Sequence, residues 1–205
     1  MEGKRKTGEA ERARKIISEN NGIIRSTQIR DMGIHPRALY SLRDSGELLQ
    51  LARGVFCLTD YETSGNLDLE IVSLKIPKAV VCLDSALSFH ELTTHIPHNI
   101  SIAIPKGVKS PKMDFPPLKV YHFSKNPYES GIEYHTSDNI EIAVYDREKT
   151  IVDCFKFRNS MGMDIVIEAL KNYREQHKPD FNKIIAYARV CRLEKIMTPY
   201  LEMIQ

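Results

Sequence analysis

Three groups of side chains in this 205-residue chain have the types and spacing for chemistry. The first is acidic. Asp146, Glu148 and Asp153 are close enough in sequence to share a Mg²⁺ ion. A structural role competes with this: Asp146 and Glu148 stand where a helix starts, and carboxylates there cap free N–H groups and complement the helix dipole. Asp153 lies beside apolar residues and is placed to anchor a buried hydrogen bond. The second group is histidine. Phe89-His90-Glu91-Leu92-Thr93-Thr94-His95 approaches the HExxH zinc pattern with one residue too many. A five-residue step on a helix sets His90 and His95 about 140° apart rather than about 40°, so they share no face. His98 follows Pro97 in a turn. Neither group is expected to hold a metal or to catalyse, and no cofactor is expected. The third group is Arg37, Tyr40, Ser41 and Arg53, joined by Arg25 and Arg43. These side chains suit contact with base edges and phosphates.

That third group lies in residues 23–58, whose elements position it. A first helix is expected from Glu9 to Glu19, where Ala10, Ala13, Ile16 and Ile17 recur at helical spacing and Asn20-Asn21-Gly22 ends the run. Ile23-Ile24 is short enough only for one strand of a small sheet. Ser26 is expected to cap a brief helix that stops at Met32-Gly33. The next helix is expected to open at His35-Pro36, with proline at the first helical position, and to run to Ser45-Gly46. On it, Leu39 and Leu42 define the buried side. Arg37, Ser41 and Asp44 face the opposite way, with Tyr40 at their flank. A recognition helix presents such outward, N-terminal residues to the major groove, and Arg37 is suited to bidentate contact with guanine. Arg37 is otherwise a solvated surface arginine, Tyr40 otherwise packs against the wing, and His35 reads as a cap. Asp44 would repel phosphate. Two apolar runs, Glu47–Leu51 and Val55–Leu58, follow with Arg53-Gly54 at the turn. This is a β-hairpin whose basic tip suits a phosphate contact. Together these elements spell a winged helix-turn-helix.

Composition sets wider bounds. The chain is 42% hydrophobic and 27% charged, as expected of an ordinary globular protein. No apolar run approaches the roughly 18 residues that span a bilayer. The first residues have charge without a following apolar core, so no signal peptide is read and a cytoplasmic location is expected. Cys57, Cys82, Cys154 and Cys191 form no CxxC pair and read as reduced core residues. Asn99-Ile100-Ser101 matches a glycosylation sequon without secretory context. Residues 1–60 carry 11 Lys and Arg against 8 Asp and Glu, while the rest carries 18 against 19. The basic excess therefore falls in the segment expected to meet phosphate. Walker A, GxGxxG and GxSxG patterns are absent from the sequence.

Several segments resemble the AbiEi antitoxin family of abortive-infection, type IV toxin–antitoxin systems. They are Met32-Gly33-Ile34, the SLRDSGEL run from Ser41 to Leu48, and ARGVFCL from Ala52 to Leu58. Further along, Leu83–His90, Ile102–Gly107 and Tyr145–Asp153 resemble later family segments in the same order. The resemblance implies an N-terminal domain that binds double-stranded DNA at repeats in its own promoter and represses its operon. It also implies a C-terminal domain that counteracts a nucleotidyltransferase-like toxin without forming a stable complex.

Beyond residue 60, Tyr61 to Asn66 reads as a linker and Leu67 to Ile76 as a helix stopped by Pro77. Ala79–Leu83 reads as a buried strand, and Asp84-Ser85 as the cap of a helix reaching Leu92. Four strands are expected at Ile100–Ile104, Leu118–Phe123, Ile132–His135 and Ile140–Val144. Asp146 is expected to cap a helix carrying Ile151, Val152, Phe155 and Phe157. Three helices are expected to close the chain, near Asp164–Gln176, Asp180–Arg192 and Leu193–Met203. The expected fold class is α+β: a winged helix-turn-helix over residues 1–60, a connecting segment over 61–78, and a mixed α/β domain over 79–205. The expected protein is a non-enzymatic, DNA-binding autorepressor and antitoxin. A ligand-sensing winged-helix regulator and a DNA-targeted, metal-dependent enzyme remain as alternatives.

Overall fold

The structure is a computed structural model that describes residues 2–61, 65–137, 140–176 and 178–203. Residues 62–64 of the expected linker lie outside the described residues. The chain divides into two compact units: Met1–Pro77 with 113–116 and 136–141, and Lys78–Lys112 with 117–135 and 142–205.

In the first unit, α1 (Glu2–Glu19) extends further than its apolar repeat predicts. The repeat fixes only the turns that pack, and no proline interrupts the polar residues before it. Ala13 and Ile17, one turn apart, are fully buried. The helix ends where Asn21 and Gly22 take positive φ, the left-handed stop that glycine and asparagine permit. A Cβ at Gly22 would lie 2.8 Å from the Tyr61 ring. Strand β1 (Ile23–Arg25), helix α2 (Ser26–Asp31), helix α3 (Arg37–Asp44) and strands β2 (Leu48–Ala52) and β3 (Val55–Leu58) follow. The three strands form one sheet in the order β1-β3-β2, with both pairs antiparallel. This is a winged helix-turn-helix. Its core joins Ala13 and Ile17 to Ile24, Ile29, Ile34, Leu39, Leu42, Leu48 and Phe56.

Ser26 is not the cap of α2. Arg25 is extended at the cap position, and its N–H donates to Gln28 Oε1 at 2.9 Å. Ser26 is instead the first helical residue, because its own N–H is taken by the Gly54 carbonyl at 2.9 Å. Pro36 stands one position before α3, already at a helical φ of −55°. Helix α4 (Leu67–Lys75) belongs to the same unit. Its buried Glu70 accepts hydrogen bonds from the hydroxyls of Tyr61 and Ser137 at 2.8 and 2.7 Å.

The second unit is built on a five-stranded sheet ordered β6-β5-β4-β8-β7, from β4 (Val80–Val81), β5 (Ile100–Pro105), β6 (Leu118–Phe123), β7 (Ile132–Ser137) and β8 (Ile140–Tyr145). Strand β4 pairs parallel with β8 and antiparallel with β5, and β5 pairs parallel with β6. The expected strand Ala79–Leu83 shrinks to two residues because Cys82 turns to cap α5 (Leu83–Phe89). Asp84 and Ser85 therefore lie inside that helix, where Asp84 Oδ1 accepts from the Ser85 N–H at 3.0 Å. The helix ends before the expected Leu92, since Glu91 takes a φ of 57°. Short helices α6 (Lys125–Glu129) and α8 (Arg158–Met161) had no periodic signal. Helices α7 (Arg147–Lys156), α9 (Met163–Gln176), α10 (Phe181–Val190) and α11 (Glu194–Glu202) supply most of the core, around Tyr145, Phe155, Leu170, Tyr173 and Met197. All four cysteines are free and buried.

Candidate nucleic-acid interface

Helix α3 carries most of the candidate contacts, and its two sides differ sharply. Ala38, Leu39 and Leu42 are buried, while Arg37, Tyr40, Ser41, Arg43 and Asp44 are exposed. The His35 ring Nδ1 accepts from the Arg37 N–H at 3.1 Å, so His35 stabilises the start of the helix. The Arg37 guanidinium has no hydrogen-bonded or ionic partner among the described residues. It borders a cleft of about 610 Å³ with Glu9, His35, Ala38, Tyr40, Ser41 and Asp44.

Tyr40 is divided between two roles. Its ring meets Phe56 of the wing edge-on, with centroids 5.5 Å apart, yet the residue remains 40% exposed. The Arg43 guanidinium lies over the Tyr40 ring, 5.1 Å from its centroid. Arg43 is held there by Asp44 Oδ1 at 2.8 Å and by Gln50 Oε1 at 3.1 Å. Phe56, Tyr40, Arg43, Asp44 and Gln50 thus form a continuous series from the core to the surface. Gln50 carried no periodic signal, and only strand register brings it to α3. Asp44, which the sequence alone marks as a repelling charge, orders Arg43.

The wing turn places Arg53 at an exposed tip, beside Gly54 with its positive φ of 79°. A Cβ on Gly54 would come 3.0 Å from Ser26 Oγ, so the turn also sits close against the start of α2. The Arg53 guanidinium has no partner among the described residues, while its carbonyl accepts from the Lys75 ammonium. Arg25 is placed differently. Its guanidinium donates to the Leu74 carbonyl at 3.0 Å and is half-buried on the α4 side of the unit. The structure therefore gathers Arg37, Tyr40, Ser41 and Arg43 on one helix face, presents Arg53 on the wing, and engages Arg25 with its own chain.

Residues 11–59 match the family described as "Transcriptional regulator, AbiEi antitoxin". The matched span runs from within α1 to the end of the wing, so it holds every candidate contact described above. Among solved structures, the RV2827C protein from Mycobacterium tuberculosis has a similar fold, with a TM-score of 0.60 and 13% sequence identity over 89% of this chain and 74% of that one. No curated protein matches the sequence. No helix among the described residues is long and apolar enough to cross a membrane.

The acidic group in the second unit is engaged by protein donors. Asp146 Oδ1 caps α7 by accepting from the Lys149 N–H at 2.7 Å, and Oδ2 accepts from the Tyr187 hydroxyl at 2.6 Å. Glu148 accepts from the Tyr173 hydroxyl and pairs with the Lys183 ammonium at 2.9 Å. Burial pushes the Glu148 carboxyl up, but the bonds from Tyr173 and Lys183 outweigh it and leave its pKa below the usual value. Asp153 is fully buried against the Lys149 ammonium, and burial raises its pKa despite that partner. These carboxylates hold α7 to α9 and α10. No group of three or more His, Cys, Asp or Glu among the described residues is arranged to hold a metal. His90 is buried, with Nε2 2.7 Å from the Tyr145 carbonyl oxygen.

Proposed function

We propose that this protein is a DNA-binding repressor of its own operon and the non-enzymatic antitoxin of a toxin–antitoxin pair, acting in the cytoplasm. Residues 1–60 are assigned to DNA binding, 61–78 to connection, and 79–205 to opposing a nucleotidyltransferase-like toxin without a stable complex. The observation that carries the DNA-binding reading is the Arg37 face of α3. An uncommitted guanidinium projects from the exposed side of a helix whose other side is locked into the winged-helix core. In the proposed complex, α3 enters the major groove of double-stranded repeats in the protein's own promoter. Arg37 takes a guanine edge, Tyr40, Ser41 and Arg43 contact neighbouring bases or phosphates, and Arg53 takes a phosphate beside the groove. Arg25 contributes only by leaving its Leu74 anchor.

A mobility-shift titration with the protein's own upstream DNA tests the repressor half. A retarded band at low salt is expected, and unaltered migration would sink the reading. Co-expression with the neighbouring toxin tests the other half, where resumed growth is expected and persistent arrest counts against it. A ligand-sensing regulator, with the C-terminal domain as the sensor, is the second reading. Release of the shifted band by a small metabolite would select that reading.

A further inference from the structure

Strand β6 is an edge of the five-stranded sheet, and along it Lys119, Tyr121 and Phe123 share one face because side chains alternate. Phe123 is buried, Tyr121 is half-exposed and Lys119 is exposed. The Tyr121 ring packs against Phe157 at 5.1 Å and 67°, and Lys119 Nζ lies 5.6 Å from its centroid. Exposed Lys156 lies 5.9 Å from the Phe157 centroid. Two half-exposed aromatic rings thus have two exposed lysines beside them, Lys119 hydrogen-bonded to the Tyr121 hydroxyl and Lys156 also 5.5 Å from the Phe123 centroid. The surrounding stretch, residues 105–125, contains five lysines and a single carboxylate, Asp114. Lys106 is brought to the same edge by its N–H, which donates to the Phe123 carbonyl at 2.7 Å. Asp84 is the carboxylate whose field reaches Lys119 and Tyr121.

Lysines alone on an edge strand serve to discourage pairing with another strand. That task requires no aromatic platform between them. Lysine-flanked rings are the arrangement that binds unpaired nucleic acid, where bases stack on the rings and the cations follow the phosphates. A duplex keeps its bases stacked on one another and offers nothing to such a platform. Unpaired bases that can be splayed onto aromatic side chains are chiefly those of RNA loops and ends. We propose that this edge binds single-stranded RNA, with Tyr121 stacking a base and Lys119 and Lys156 contacting phosphates. When a base occupies the ring, the flexible Lys119 chain swings to the adjoining phosphate. This site is separate from the Arg37 face, so the two readings stand or fall independently.

Fluorescence anisotropy of the full chain with a labelled uridine oligomer of about 12 nucleotides tests the proposal. Binding is expected at low salt. Lys119→Ala with Lys156→Ala should weaken it and flatten the slope of log K against log salt by about 1.4, roughly 0.7 for each lost phosphate contact. Tyr121→Leu should cost about tenfold, whereas Tyr121→Phe, which keeps the ring, should stay within about twofold. The lysine variants and Tyr121→Phe should retain wild-type thermal unfolding, Tyr121→Leu should lower the midpoint slightly by losing its Phe157 contact while staying folded, and all should leave the mobility shift with the upstream duplex unchanged. The proposal is overturned by absence of RNA binding, by equal or tighter binding of the matching DNA oligomer, or by RNA binding lost on Arg37→Ala and Arg53→Ala but kept in the β6 variants.

Discussion

The Lys149 ammonium lies 2.5 Å from the Asp153 carboxylate, one turn apart on α7, and neither side chain is exposed to solvent. Lys149 is further enclosed by the Tyr145 ring, 4.1 Å from its centroid, and by Phe123 at 5.1 Å. Cys191 reaches Asp153 from the end of α10 at 3.8 Å. A pair this buried is held by mutual neutralisation more than by its net contribution to stability. Lys149→Met should therefore cost about 3–5 kcal/mol by leaving a carboxylate buried without its cation. Lys149→Met combined with Asp153→Leu should recover much of that loss. Urea unfolding at neutral pH checks both. A double variant as unstable as the single one would show that the pair itself supplies the stability.

The origin of this pair explains how much of the protein was legible in its sequence. Helix α3 could be oriented because its signal is local: Leu39 and Leu42 mark the core, and the rest of the helix follows from 3.6-residue geometry. The strand segments of the second unit were legible for the same reason, from short apolar runs between Pro and Gly. Their order β6-β5-β4-β8-β7 was not, since parallel neighbours are chosen by distant crossovers. The acidic group was visible as Asp146, Glu148 and Asp153, but its partners Tyr173, Lys183, Tyr187 and Cys191 arrive from α9, α10 and the turn after it. Nothing in the sequence sets Lys149 apart from them except its i,i+4 spacing to Asp153, and only full burial gives that spacing its weight.

His90 should make the second unit sensitive to mild acid. Burial lowers its pKa, and although the bond to the Tyr145 carbonyl and the nearby Glu133 carboxylate act upward, Arg147 and His135 add to the lowering. The unfolded chain then binds a proton that the folded chain refuses. Stability should fall as pH drops below the ordinary histidine value of about 6.5 and level off below the depressed folded value. His90→Gln keeps an N–H for the Tyr145 carbonyl but does not titrate. Unfolding midpoints measured between pH 5 and 7.5 should fall less on acidification in this variant than in the wild type. Equal slopes would assign the acid sensitivity to other groups.

Asp44 should restrain DNA binding rather than support it. Its carboxylate clamps Arg43 at 2.8 Å on the exposed face of α3 and adds a negative charge where phosphate would approach. Asp44→Ala removes that ion pair and leaves Arg43 only its Gln50 bond and the Tyr40 ring, so upstream-DNA affinity should rise about threefold to tenfold and the salt slope should steepen by up to about 0.9 as Arg43 turns fully to phosphate. Adding Arg43→Ala to Asp44→Ala should cancel the steepening. Weaker binding by Asp44→Ala would mean that the clamped position of Arg43 is the one that DNA requires.

Arg37 and Arg53 should fail in different ways. Both guanidiniums lack a partner among the described residues, but one stands on α3 and the other at the wing turn. A bidentate contact to guanine carries about 1–3 kcal/mol of discrimination, whereas a phosphate contact carries charge without sequence information. Arg37→Ala should therefore weaken binding to the upstream repeats by roughly 5- to 150-fold and leave non-specific duplex binding nearly unchanged. Arg53→Ala should weaken both duplexes alike and reduce the salt slope by about 0.9. Parallel titrations of each variant against upstream and scrambled duplexes, at several salt concentrations, separate the two effects. If Arg37→Ala lowers both affinities equally, Arg37 is a backbone contact and sequence is read elsewhere on α3.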